Sequence, residues 1–155
     1  MPNEFSGALD ANEDDRFAII VSKYNRPITD KLLAGAVETL LRHGVADNRI
    51  DVFRVPGAWE LSVTAKKAAG KDYAAILCLG AVIKGETTHD LYINQQVSHS
   101  LGEISLQHGI PVAFGLLTCN NMEQAIHRSG GNVGNKGIEC AEAALEMKNL
   151  LKQIG

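Results

Sequence analysis

A chain of 155 residues with 45% hydrophobic content can fill one core and is too short for two domains of ordinary size. Its 15 basic and 18 acidic residues leave a formal charge of -3 without any Lys/Arg block, which excludes a surface built to neutralise phosphodiesters, so nucleic acid is not an expected partner. No apolar run approaches the ~20 residues that span a bilayer, and M-P-N-E-F-S-G lacks the basic and apolar regions of a signal peptide, so a soluble, cytoplasmic protein with no membrane partner is expected.

Residues 1–16 carry Glu4, Asp10, Glu13, Asp14 and Asp15 against Arg16 alone, with no helical period. They read as an N-terminal arm, disordered by itself, with Phe5 and Leu9 as anchors on a partner. Residues 17–155 read as one α/β domain. F-A-I-I-V-S (Phe17–Ser22) is apolar and β-branched throughout, as in a strand buried on both faces. The next helix carries Leu32, Leu33, Ala36, Val37, Leu40 and Leu41 on one stripe and stops at Gly44. I-D-V-F-R-V (Ile50–Val55) is a second strand ended by Pro56-Gly57, followed by a short helix from Trp59. A-A-I-L-C-L (Ala74–Leu79) is the third strand, with a loop from Gly80 to Thr88 and a helix from about Asp90 to His108. V-A-F-G-L-L (Val112–Leu117) is the fourth strand. A short helix near Met122–Arg128, a glycine-rich link and a longer helix from Ile138 finish the chain.

Strands alternating with helices imply a parallel sheet with right-handed crossovers and helices on both faces, a three-layer α/β/α sandwich. Cys78, Cys119 and Cys140 are odd in number and far apart, which fits neither a disulfide framework nor a metal knuckle; they read as reduced packing residues.

Ligands of open parallel sheets bind beyond the carboxyl ends of the strands. That rule selects the loops carrying Ser22-Lys23-Tyr24-Asn25, Pro56–Glu60, Gly80–His89 and Thr118–Asn121, whose side chains suit a polar heterocycle with a hydroxylated tail. G-A-V-I-K-G-E-T (Gly80–Thr87) nearly spells the nucleotide P-loop, G-x-x-x-x-G-K-[ST], but Glu86 stands where the lysine should be. The loop follows the third strand rather than the first, and no strand ends in an Asp to hold magnesium. A carboxylate against a triphosphate adds repulsion of several kcal/mol in a low-dielectric site. What survives is a turn entering a helix N-terminus, where backbone N–H groups with Thr87 and Thr88 can hold one phosphate, its countercharge coming from Arg128 or Lys136. His89 opens that helix, where the positive end of the dipole favours neutral imidazole and so an acid–base role. His43, His99 and His108 read as surface residues on helix faces.

Six motifs in order carry a family resemblance: S-G-A-L-D, V-S-K-Y-N, V-P-G-A-W-E-L, G-A-V-I-K-G-E-T-T-H, P-V-A-F-G-L-L-T and E-Q-A-I-H-R-S-G-G-N-V-G-N-K-G. The chain resembles the 6,7-dimethyl-8-ribityllumazine synthases from Gly7 to near its C-terminus. The resemblance implies a flavodoxin-like four-stranded sheet of order 2-1-3-4, with an N-terminal strand added to a neighbouring subunit. It implies a reaction without cofactor or metal, in which 5-amino-6-(D-ribitylamino)uracil condenses with 3,4-dihydroxy-2-butanone 4-phosphate. On the matching positions Tyr24 stacks on the pyrimidine, Ala58, Trp59 and Glu60 hold the ribityl chain, and Ala81, Val82 and Ile83 present backbone to the uracil edge. Glu86 and Thr87 cradle phosphate through main-chain N–H, His89 transfers protons, and Arg128 binds phosphate. Arg128 and the aromatic wall Phe114 come from the neighbouring subunit in that family. Asn25, Lys136 and Glu139 stand close by in accessory places.

The resemblance further implies a homopentamer, and the short glycine-rich link leans to a 60-subunit icosahedral shell, with riboflavin synthase as a candidate companion. Asp90 departs from the aromatic residue usual after the histidine, Ser129 from alanine, and Tyr24 from phenylalanine. The alternatives are a flavin carrier, a catalytically inactive shell protein of the same fold and a phospho-receiver. K-Y-N-R-P after the first strand speaks against the first, and Ser22 and Gly80 at the strand ends speak against the last.

Overall fold

A computed structural model describes residues 1–155. β1 (Phe17–Ser22) is buried at every position and lies inside the sheet, which is what its uninterrupted apolar run demands. It pairs in parallel with β2 (Ile50–Val55) on one side and β3 (Ala75–Ile83) on the other, and β4 (Val112–Cys119) pairs with β3, giving the order β2-β1-β3-β4.

Alternate residues of the central strands face opposite cores. Phe17, Ile19 and Val21 of β1 with Leu77 and Leu79 of β3 pack under α1 (Arg26–Arg42) and α5 (Lys136–Ile154). Ala18 and Ile20 with Ile76 and Cys78 pack under α2 (Leu61–Ala69) and α3 (His89–His108). The three layers and the strand order are those expected from the alternation of elements and from the family resemblance. No helix is long and apolar enough to cross a membrane.

Two boundaries differ from the sequence reading. β3 runs on through Gly80 to Ile83 and β4 through Thr118 to Cys119, because the two strands continue to pair, Ile83 opposite Cys119. Gly80, expected to open the loop, lies in the strand opposite Leu116, and glycine is required there because a Cβ would come within 2.9 Å of Leu116 Cδ1 and 3.1 Å of Ser22 Oγ. The first four residues of the apparent P-loop are therefore sheet. The glycine-rich link also forms a small hairpin, β5 (Ser129–Gly131) with β6 (Gly134–Asn135), between α4 (Met122–His127) and α5. On α1 the buried stripe centres on Leu32, Ala36 and Leu40 and takes in Gly35 and Thr39, with Gly35 against Asn135 at the start of α5, while Leu41 turns outward.

The arm has partners within its own chain. Asn149 of α5 donates to the carbonyls of Ala8 and Asp10 (2.6 and 2.9 Å), and Gln153 donates to that of Ser6 (2.9 Å). Gly7 lies where a Cβ would overlap the Glu146 carbonyl, and the ammonium of Lys148, only 8% exposed, pairs with Asp15. Leu9 packs on the α1/α5 core rather than on a partner, while Phe5 stays 63% exposed. Side-chain amides on a distant helix satisfy this backbone, so no local pattern in residues 1–16 announces it.

The three cysteines are free and buried. Burial pushes all three thiols up, Cys140 to about 11, and the positive Arg128 beside Cys119 only partly opposes the rise there. Because the thiolate is the reactive form, none should be modified by a thiol reagent in the native protein at pH 8, and all three should react in denaturant. Rapid native labelling of any one would contradict this packing.

Candidate active site

The backbone first assembles the site. After β1, Lys23 and Tyr24 donate their N–H groups to the carbonyls of Val55 (2.8 Å) and Pro56 (3.2 Å), which lays the β1 loop against the β2 loop. Asn25 then takes a left-handed conformation (φ 61°), which asparagine tolerates better than most residues, and its Nδ2 donates to the carbonyl of Ala81 (2.9 Å). The β1 loop is thereby pinned over the end of β3, with the Tyr24 ring standing free at its crest. Asn25 acts by positioning and does not line the cleft.

Beyond β2 the chain turns at Gly57 through a short 3-10 segment, Ala58–Glu60, into α2. This turn buries Ala58 and leaves Trp59 exposed. On the far side the Lys84 N–H donates to the Cys119 carbonyl (2.8 Å), anchoring the Lys84–Thr88 loop on the end of β4. That loop leads into α3, where the His89 N–H donates to Thr87 Oγ1 (3.3 Å). His89 is the first residue of the helix, exposed, with its side chain on the cleft.

Together these segments enclose an open cleft of about 420 Å³ beyond the carboxyl ends of β1, β2 and β3. Tyr24, Ala58, Trp59 and Glu60 line one flank, and Ala81, Val82 and Ile83 form the floor. Thr87 and His89 close the third side, joined by Asp90 and Ile93 of α3. Nearly all of the residues expected to bind the aminouracil meet here. Asp90 stood out in the sequence only as a departure, and Ile93 was missed although it lies one helical turn after His89 and so shares its face. The charge is uneven: Glu60 and Asp90 bring two carboxylates to the lining, while the start of α3 brings backbone N–H groups at the positive end of its dipole.

Phe114, Arg128, Lys136 and Glu139 do not line this cleft. Phe114 projects from β4, a sheet edge, and is 41% exposed. Arg128 ends α4 with its guanidinium exposed and free of any carboxylate partner, and its carbonyl accepts from the Lys136 N–H (2.9 Å). Lys136 in turn approaches Glu139 (3.9 Å). One chain thus carries two separate groups of expected site residues, one lining the cleft and one outside it. Glu86 is exposed in the loop and outside the cleft lining, with no side-chain partner. No group of three or more His, Cys, Asp or Glu side chains is placed to hold a metal ion.

Fold and cleft define the class: a flavodoxin-like α/β protein with a strand-end cleft, an aromatic ring, a carboxylate and an imidazole around a phosphate-compatible helix start. Sequence comparison narrows the class. The 6,7-dimethyl-8-ribityllumazine synthase family matches residues 14–152. The 6,7-dimethyl-8-ribityllumazine synthase of Desulfotalea psychrophila is 51% identical over 155 residues, covering 99% of this chain and 99% of that protein. The chain belongs to the 6,7-dimethyl-8-ribityllumazine synthase family.

Proposed function

We infer that the chain carries out the reaction of its family, the penultimate step of riboflavin biosynthesis. It condenses 5-amino-6-(D-ribitylamino)uracil with 3,4-dihydroxy-2-butanone 4-phosphate to 6,7-dimethyl-8-ribityllumazine, with loss of phosphate and water. The observation that carries this reading is the meeting of Tyr24, Trp59, Glu60, the β3 backbone and His89 in one cleft of a chain that matches the family nearly end to end. Incubation with both substrates should give lumazine absorbance well above the uncatalysed rate. A rate equal to that control overturns the assignment in favour of an inactive shell protein.

In the proposed arrangement the pyrimidine stacks on Tyr24 over Ala81–Ile83, and the ribityl hydroxyls donate to Glu60. The butanone phosphate lies at the Gly85–Thr87 loop, held by main-chain N–H groups and by Thr87, so the Glu86 side chain is free to point away. His89 assists the proton transfers of imine formation and phosphate elimination. Holding two mutually reactive molecules together contributes much of the acceleration, because amine and ketone already react unaided.

Phe114 and Arg128 reach a cleft from the neighbouring subunit in this arrangement, with Lys136 and Glu139 beside them. The separation of the two groups on one chain supports that sharing. The assembly would be a homopentamer of cytoplasmic subunits, built up to an icosahedral shell, with the N-terminal arm reaching a neighbour's sheet through residues before Ser6 and with riboflavin synthase as a candidate companion.

Arg128→Ala should raise KM for the butanone phosphate by at least tenfold with kcat less affected, since a charge-assisted contact to phosphate is lost. Co-assembled Arg128→Ala and His89→Ala subunits should recover, at low butanone phosphate, activity that neither variant shows alone. No recovery would place both residues in the site of one subunit.

A further inference from the structure

Asp90 is unlike the other polar groups of the cleft. It lines the cavity beside His89 and Ile93, yet its Oδ1 is closed off from water and accepts no hydrogen bond from the chain. No lysine or arginine pairs with it, although four other side-chain carboxylates of the chain, Asp15, Asp30, Asp51 and Glu139, have such a partner. One helical turn later on the same face, Asn94 Oδ1 is also buried without a donor. A half-turn of the Asn94 amide presents Nδ2 in place of that oxygen, a donor at the spacing from which i and i+4 side chains meet. Asn94 is then a positioning residue that holds one carboxylate oxygen of Asp90 and leaves Oδ2 for the cleft.

The chemistry of the occupant follows from the charge. A carboxylate with no cation of its own, on the same cleft as Glu60, repels phosphate and accepts only from donors. Trp59 and Ile93 add apolar wall to the same cleft. Acceptors beside an apolar wall suit a polyol, with its hydroxyls as donors and its carbons against the wall. We propose that Asp90 is a second recognition residue for the ribityl chain, on the same cleft as Glu60, and that in this enzyme it adds to the preference for a polyhydroxylated side chain on the aminouracil. With Oδ1 held by Asn94, the hydroxyls of the substrate supply the donors that Oδ2 lacks within the chain. This inference rests on the ribitylaminouracil reading of the cleft.

The test compares two substrates, ribitylaminouracil and its analogue carrying a methyl group in place of the ribityl chain, at saturating butanone phosphate. Wild type should favour the ribityl compound in kcat/KM, and Asp90→Ala should lose about tenfold of that preference, chiefly through a raised KM for the ribityl compound. Asp90→Asn keeps an acceptor without its charge and should lose about threefold, which preserves the comparison if the alanine variant does not fold. An unchanged ratio in the folded variants, with an active wild type, overturns the assignment of Asp90 alone. A wild type that forms no lumazine overturns the reading of the cleft itself.

Discussion

Gly137→Ala is expected to lower stability by about 3 kcal/mol, a fall in Tm of roughly 6–12 °C at matched protein concentration. A Cβ on Gly137 would come within 1.9 Å of the Leu32 carbonyl, a backbone atom of α1 that no rotamer change can move aside. The helices approach this closely because three small or polar groups interlock. Asn135 caps α5 by accepting from the Gly137 and Ile138 N–H groups (2.8 and 3.3 Å), and it reaches across to donate to the Lys31 carbonyl (3.1 Å). Gly35 makes room for it, since a Cβ there would meet Asn135 Nδ2 at 2.8 Å.

Pushing α5 off α1 also displaces Lys136 and, through its bond to the Arg128 carbonyl, the end of α4. The butanone phosphate KM should therefore rise in whatever fraction stays folded. Gly102→Ala is the control: it also lies within a helix but has nothing within 4 Å of the added Cβ, and it should gain roughly 0.5–1 kcal/mol. Thermal scans of the two variants should move in opposite directions. Equal small shifts would mean that α1 and α5 have slack.

His89→Ala is expected to lower kcat by about 10²-fold, with the KM for ribitylaminouracil changed less than threefold. That is the low end for a general acid–base group, chosen because the reactants need little help beyond proximity. Pyrimidine affinity should survive because Tyr24, the β3 floor and Glu60 remain on other elements. A pH–rate profile gives the sharper check: the limb assigned to the imidazole should vanish in the variant. If activity persists unchanged across pH, another group moves the protons and His89 only lines the cleft.

Much of this molecule is legible in one dimension. The uninterrupted apolar runs of β1 and β3 required a sheet covered on both faces, and their alternation with helical stripes required parallel crossovers. The helix start at His89 and the turn at Gly57 followed from residue type within a residue or two, because capping and turn preferences are local. Joining those local signals to the rule that ligands sit beyond the carboxyl ends of parallel strands selected four loops, of which three line the cleft and Thr118–Asn121 does not.

What stayed hidden depended on groups far apart in the chain. Gly80 looks like a loop residue, but Leu116 and Ser22 crowd it, so the same glycine that suggested a phosphate loop serves a tight place in β3. The arm looks unstructured until Asn149 and Gln153 supply donors for its carbonyls. Asp90 stands out in the sequence only as a departure, and its place in the cleft with one carboxylate oxygen buried without a donor made it a candidate for substrate contact. The sequence by itself determined the layers, the strand order through its family motifs, and the chemistry available at the strand ends, because periodicity and residue type act over a few positions. Only the tertiary structure decided which of those groups share a cleft and which stand outside it, because that depends on how helices and strand ends approach one another across the sheet.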